Sequence, residues 1–490
     1  MFSNSRQIMS WNLHQHLGRH LIVYTIIKDG FMQNEMKVAL SDRWYLKNCN
    51  ERKMLFNNYS GVTYTVSELL YRFLAMCDGT LTLEELVSEY DCKDAIKEKA
   101  ERLFQLNILK YSEGKRTGFV SPVCTGELIK RLTIHITSKC NLHCKHCYVG
   151  DMSISTFSIE ELGAILEEAY QMNVLNLSLT GGEPFLYPVT IEFLIEKCLK
   201  YGMRIENIFT NANLLENTRG VVNQLIEAFD LTFYVSVDGL YQAYDGFRGK
   251  TNAFHDLCSG LDILEGFDAK LFINVLLNKS NLHQLLDIYT FMKKYHSFKR
   301  LRISNGFNLG NWVSNRSQYR ISMEEEISGI KELIRMWVKD GKPCEMEYGH
   351  LFRHLFGQTY LIKDIHYTKD SLCCEYYKNV CVIFPDGSVT PCGLTYPHYV
   401  CGSIHSDSLA QIWNSPKMRK FKELKISDLS IDDCNECKYL PMCGTGCRGK
   451  ALLNGKGYLD IDDTICSLYK HGIYDDFESF VIKEVINESV

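Results

Sequence analysis

From residue 131 to about 310, short apolar runs rich in β-branched residues alternate with longer stretches in which apolar positions recur every three or four residues. The runs 132–137, 175–180, 205–210, 231–237, 271–277 and 301–304 predict strands, and the stretches 158–172, 189–200, 217–228, 253–266 and 281–295 predict helices. Such alternation implies an α/β architecture of parallel strands joined by right-handed crossovers. Six strands are too few to close an eight-stranded barrel. An open or partial barrel is expected, with ligands bound beyond the C-terminal strand ends.

The flanking segments carry other patterns. Residues 1–120 contain no proline, and the first, Pro122, lies in a linker spanning 118–126. Strand-type alternation over 59–65 and helical periodicity over 66–76, 83–90 and 94–106 predict a small α+β domain of winged-helix type. The apolar run 21–27 is too short to cross a bilayer and reads as a buried strand. Residues 311–372 are helical and aromatic and carry no assignable chemistry. A final charged helix runs over 471–490. The expected domains are therefore 1–120, 128–310, 311–372, 373–470 and 471–490.

Composition narrows the function. The chain has 490 residues with a net charge of -5 and no basic excess, so nucleic acid is not an expected partner. No signal-peptide layout is present and no membrane partner is expected; the expected location is the cytosol. The outlying number is 20 cysteines. In a reducing compartment, clustered cysteines are more often metal ligands than disulfides. Ten fall between Cys373 and Cys466, and three more fall at 140–147.

The first group follows the first strand as Cys140-x3-Cys144-x2-Cys147. Thiolates suit iron–sulfur clusters, and three of them on a cubane leave one iron open to a small molecule. A zinc site with His143 or His146 as fourth ligand is the alternative. The second strand ends in Thr180-Gly181-Gly182-Glu183-Pro184. The third ends at Thr210-Asn211 and the fourth at Ser236-Val237-Asp238, while Asn274 lies on the fifth. This arrangement resembles the radical SAM superfamily, which uses a partial (β/α)6 barrel. The resemblance implies a [4Fe–4S] cluster on Cys140, Cys144 and Cys147 that binds and reductively cleaves S-adenosylmethionine (SAM). It implies SAM contacts from Tyr148, Gly181, Gly182, Glu183, Pro184, Thr210, Asn211, Ser236, Asp238 and Asn274, with Arg248 pairing the carboxylate of SAM. No catalytic side chain beyond the cluster ligands is assigned.

The second field contains Gly387-x4-Cys392, then Cys434-x2-Cys437-x5-Cys443-x3-Cys447, then Cys466. It resembles the SPASM extension of radical SAM peptide maturases. By that resemblance one auxiliary [4Fe–4S] cluster takes Cys374, Cys381, Cys392 and Cys447, and a second takes Cys434, Cys437, Cys443 and Cys466. Three clusters are then expected in all. Cys373 competes with Cys374. The remaining cysteines read as small buried hydrophobes, with Cys124 singled out for testing. Sulfatase-maturing relatives carry an aspartate directly after the cysteine equivalent to Cys392, where this chain has Gly393.

Residues 37–113, and above all 75–87, resemble the leader-peptide recognition element of ribosomal-peptide maturases. An extended leader is expected to add as a strand near 55–65 and to pack on the helix around 95–106. Together these readings imply a radical SAM oxidoreductase acting on a precursor peptide bound through its leader, with a flavodoxin or ferredoxin-type electron donor. A thioether from a cysteine sulfur is the expected product, with carbon–carbon cross-linking or epimerisation as alternatives. A zinc-ribbon, winged-helix regulator is the alternative from another class.

Overall fold

A computed structural model describes residues 35–49, 52–124, 127–150, 155–349, 355–356, 366–374, 378–431, 434 and 436–486. The run 21–27 lies outside the described residues. The chain divides into two compact units, one of Met1–Leu46 with Val66–Val120 and one of Lys47–Thr65 with Ser121–Val490.

In the first unit, strand Lys37–Leu40 is the centre of a three-stranded antiparallel sheet, between Asp78–Thr82 and Leu109–Ser112. Three helices accompany it, Glu68–Met76, Leu83–Ser88 and Lys93–Gln105. The second begins at a capping box: the Thr82 hydroxyl accepts from the Glu85 amide, and the Glu85 carboxylate accepts from the Thr82 amide. Phe104 on the third helix stacks on Tyr111 at 4.6 Å.

The strand expected to receive a leader belongs elsewhere. Strands Arg52–Asn57 and Thr63–Val66 lie in a separate four-stranded sheet, and residues 47–65 count with the second unit. Within the first unit, the outer strands of the sheet are Asp78–Thr82 and Leu109–Ser112.

The second unit is built on consecutive parallel strands: β1 (Arg131–His135), β2 (Asn176–Thr180), β3 (Arg204–Thr210), β4 (Thr232–Ser236), β5 (Lys270–Leu276) and β6 (Phe298–Ser304). Helices α1 (Ile159–Gln171), α2 (Pro188–Tyr201), α3 (Arg219–Ala228), α4 (Tyr241–Arg248), α5 (Ala253–Gly266) and α6 (Leu285–Met292) connect them. α1 starts at a capping box of Ser158 and Glu161, and α2 stops at Gly202 in the left-handed conformation. The six predicted strands are all present. The sheet continues past them on both sides. β7 (Glu345–Tyr348) pairs parallel with β6, and β8 (Val380–Ile383) pairs parallel with β1. Short antiparallel strands extend it to eleven.

One face of this sheet carries Leu132, Leu177, Ile208, Phe233, Ile273 and Leu301, buried in a single core with the helices. Alternate residues form a mixed row on the other face. Phe209 stacks on Tyr234 at 4.5 Å, and Arg300 lies over Phe272 at 4.2 Å. The residues beyond the C-terminal ends of β1 to β5 are those singled out in the sequence. No helix among the described residues is long and apolar enough to cross a membrane.

Candidate functional site

The loop after β1 carries Cys140, Cys144 and Cys147, and it is gripped from three directions. The Gly182 and Glu183 amides donate to the carbonyls of Thr137 and Lys139 at 2.7 and 2.8 Å. The amides of His143 and Lys145 donate to the carbonyls of Arg248 and Phe247, at the end of α4. The Asn311 amide and side chain donate to the carbonyls of Cys147 and Cys144 at 2.8 and 3.1 Å. Close backbone approach explains two glycines. A β-carbon on Gly182 would lie 1.9 Å from the Lys139 carbonyl oxygen, and one on Gly249 would lie 2.4 Å from that of His143.

Cys144 is buried, and Cys140 and Cys147 are half-buried. Burial pushes the Cys140 thiol up to about 12, and Glu183, Cys144 and Cys147 add to the shift. Two donors reach the sulfurs: Asn211 Nδ2 stands 3.7 Å from Cys140 Sγ, and an Arg248 guanidinium nitrogen stands 3.4 Å from Cys144 Sγ. Both favour thiolate, the ligand form of cysteine.

The strand-end residues form one interlocked set. Glu183 is fully buried; its carboxylate accepts from the Thr210 hydroxyl at 2.7 Å, the Asn211 amide at 2.8 Å and the Phe185 amide at 3.1 Å. Burial raises it to about 7 against these bonds. Asp238 accepts from the Leu276 amide at 2.6 Å and pairs with Arg248 at 2.5 Å. Burial opposes charge on Arg248, yet Asp238 and the Cys144 thiol hold it protonated. Ser236 and Asn274 are register partners on β4 and β5. The Tyr148 hydroxyl bonds to Thr180 and lies near both Cys147 and Cys392. Pro184 opens a short 3₁₀ turn that Glu183 caps.

Thus Glu183, Thr210, Asp238 and Arg248, expected as direct SAM contacts, are engaged first with one another and with the cysteine loop. Sequence reasoning missed the pairing of Arg248 with Asp238 and Cys144, and it missed Asn141 and Asn311. Asn141 accepts from Asn211 at 2.8 Å. Its position between two motif cysteines was the available signal.

Several buried polar atoms around the loop have no partner among the described residues: Asn141 Nδ2, His146 Nδ1, Arg248 Nε and Asn274 Oδ1. Buried polar atoms are normally bonded, so this set marks where a polar ligand fits. No three His, Cys, Asp or Glu side chains among the described residues stand close enough to chelate a single ion. A cubane offers separate irons, so its thiolates need not converge on one point. His143 is exposed. His146 is half-buried, stacks on Phe247 at 5.0 Å and is lowered to about 4 by burial.

The second field separates into two groups. Cys434, Cys437, Cys443 and Cys466 line one pocket with Asp462 and Lys470. Burial raises Cys434 to about 11, with the other three thiols adding to it. Elsewhere, burial raises Cys392 and the nearby thiols of Cys447 and Cys374 raise it further. Cys373 is buried among Leu424, Ile426 and Leu440 and is not among the thiols that act on Cys392. Cys381, expected as the fourth thiolate of this group, is not among the thiols that act on Cys392 either. It sits within β8, opposite Leu132, and the strand's alternation turns it into the main core; its charged neighbours are Cys401 and Lys422.

Comparison with known proteins agrees with this geometry. Residues 134–292 match the family model of the Radical SAM superfamily, and residues 373–438 match that of an iron–sulfur cluster-binding domain, SPASM. The antilisterial bacteriocin subtilosin biosynthesis protein AlbA of Bacillus subtilis is 24% identical, over 83% of this chain and 88% of its own length. An AdoMet-dependent heme synthase of Nitratidesulfovibrio vulgaris is 24% identical, over 71% of this chain and 93% of its own length. Streptococcus suis SuiB bound to S-adenosylmethionine superposes with a TM-score of 0.58 at 17% identity, covering 87% of this chain and 99% of SuiB.

Proposed function

We propose, for a chain that carries a radical SAM domain followed by a SPASM iron–sulfur domain, that it modifies a ribosomally made precursor peptide and forms a thioether from a substrate cysteine. The two domains imply [4Fe–4S] clusters and SAM as cofactors. When bound, these supply a low-potential electron and a 5′-deoxyadenosyl radical that takes hydrogen from the substrate.

The chain's own residues do the holding. Cys140, Cys144 and Cys147 supply three thiolates, with Asn211 and Arg248 donating to two of the sulfurs. Asp238 keeps Arg248 in place, and Glu183 ties the ends of β2 and β3 beneath the loop. Ser236, Asn274 and the unpartnered atoms of Asn141 and His146 face the ligand. Cys434, Cys437, Cys443 and Cys466 supply a complete set of four for one auxiliary cluster.

A single observation carries the thioether reading. Cys374, Cys392 and Cys447 form a group of three once Cys381 is turned into the core. Three thiolates would hold a cluster with a fourth ligand place left over, and a substrate cysteine would take that place, with its sulfur then positioned for bonding to the substrate carbon. Gly393 after Cys392 argues against sulfatase maturation. AlbA, named for subtilosin biosynthesis, and SuiB, also solved bound to precursor peptide SuiA, support a peptide substrate. The first unit binds the leader, and a flavodoxin or ferredoxin-type donor supplies the electron.

The test is anaerobic incubation with SAM, reductant and the precursor peptide encoded beside the gene, read by mass spectrometry. Loss of two hydrogens with a cysteine that resists alkylation is expected. Loss of two hydrogens with that thiol still alkylatable would mean carbon–carbon cross-linking. Deuterium uptake from solvent without that loss would mean epimerisation. Reconstituted protein that takes up zinc in place of iron and releases no 5′-deoxyadenosine would overturn the enzyme reading.

A further inference from the structure

Two cysteines outside both fields meet in the second unit. Cys49 ends strand Trp44–Cys49 and Cys124 ends strand Val120–Cys124, and these strands are neighbours in one sheet. Their thiols are buried together with Met54 and are hydrogen-bonded to each other. One group pins the backbone of both strands. Asn173, fully buried, donates its Nδ2 to the carbonyls of Asn48 and Pro122, each at 2.9 Å. The two thiols are thus held side by side by the sheet and by a shared clamp.

We propose that Cys49 and Cys124 are a modification site: a dithiol that a small two-electron thiol oxidant closes to a cross-strand disulfide. Residues paired on neighbouring strands of a sheet lie about 4.7–4.9 Å apart. Disulfides span about 4.4–6.8 Å, so closure at such a pair needs no rearrangement of the sheet. Packing of a small hydrophobe accounts for one buried cysteine. It does not account for two in thiol–thiol contact beneath one clamp.

The step balances with a low-molecular-weight disulfide such as oxidised glutathione. One cysteine thiolate attacks a glutathione sulfur, the glutathione S–S bond breaks, and one glutathione leaves as thiolate. The second cysteine thiolate attacks the protein sulfur of that mixed disulfide, forming the Cys49–Cys124 bond and expelling the second glutathione. Two electrons leave the protein, and the two thiol protons end on the released glutathiones. The closed loop contains residues 66–120, the larger part of the first unit.

The experiment uses anaerobic, cluster-loaded enzyme treated with oxidised glutathione, denatured with N-ethylmaleimide present, digested and mapped. A peptide linking residues 49 and 124 is expected in the parent, with exposed Cys92 carrying glutathione as proof that the oxidant acted. Cys49→Ser and Cys124→Ser should each stop at the mixed disulfide on the remaining thiol. Should either variant fail to fold, the parent alone decides: a protease nick within 66–120 leaves fragments joined on a non-reducing gel until dithiothreitol parts them. Finding both residues alkylated while Cys92 is glutathionylated, or finding Cys49 linked to another cysteine, overturns the proposal.

Discussion

Arg248 shows how a single side chain organises the cysteine loop. It is 5% exposed, ion-paired with an Asp238 that is 1% exposed, and donates to Cys144. Removing one partner of a buried pair leaves an uncompensated charge and costs about 3–5 kcal/mol. Arg248→Ala is therefore expected to lower the stability of the metal-free protein by that amount, and Arg248→Met with Asp238→Asn to recover part of it, both read by denaturant unfolding. The sequence marked Arg248 as functional but could not reveal this partnership, because Asp238 lies ten residues away, before α4. Gly182 was marked only as a contact to SAM; what demands glycine there is the Lys139 carbonyl, which a β-carbon would meet at 1.9 Å. Lys47 was not legible. It is fully buried, and burial lowers it from 10.5 to about 7 against the thiols of Cys198 and Cys49. Between about pH 7 and 10.5 the unfolded chain keeps a proton that the folded chain has lost. Stability should then rise with pH across that window by about 1.4 kcal/mol per unit from this group alone. Lys47→Met is expected to remove that slope, as measured by the difference between variant and parent unfolding at pH 7, 8 and 9.

At the scale of elements, periodicity sufficed for the barrel. All six predicted strands and their helices are present, because a strand buried on both sides must be apolar and a helix between strands must be amphipathic. The neighbours β7 and β8 were not seen. Each has four residues and follows a segment with no barrel-like repeat. That omission bears on the expected ligand Cys381. Spacing alone cannot tell a cysteine in a loop from one in a strand, and Cys381 pairs within β8 with its side chain in the core. Cys381→Ala is accordingly expected to retain the full iron content of the parent and its SAM cleavage. Cys392→Ala should lose about one cubane, roughly four irons, by iron analysis and electron paramagnetic resonance. Equal iron loss in both variants would restore Cys381 as a ligand. Three of the four cysteines around the pocket of Asp462 and Lys470, namely Cys434, Cys437 and Cys443, were legible because they follow one another within ten residues, where spacing fixes position.

For the molecule as a whole, the proposed reading assigns recognition and chemistry to separate units, and the boundary between the units is not a single point. The ribbon 47–65 counts with the barrel unit and is bonded to it: Lys47 Nζ donates to the Tyr201 carbonyl at 3.1 Å, and an Arg204 guanidinium nitrogen donates to the Ser60 carbonyl at 2.6 Å. Deleting residues 1–120 removes this ribbon together with the first unit. A cleaner variant removes 1–46 and replaces 66–120 by a short flexible linker. It is expected to retain SAM cleavage within a few-fold while losing leader-dependent peptide turnover, measured as 5′-deoxyadenosine against modified peptide. Turnover unchanged by this excision would assign leader binding to the second unit. The chain passes between the two units three times, at 46–47, 65–66 and 120–121. Gene shuffling between relatives that differ in the peptides they serve meets this directly. One crossover upstream of the barrel cannot exchange the first unit alone; a viable chimaera must either inherit the ribbon with it or recombine at several points, which ties the drift of specificity to the drift of the catalytic scaffold.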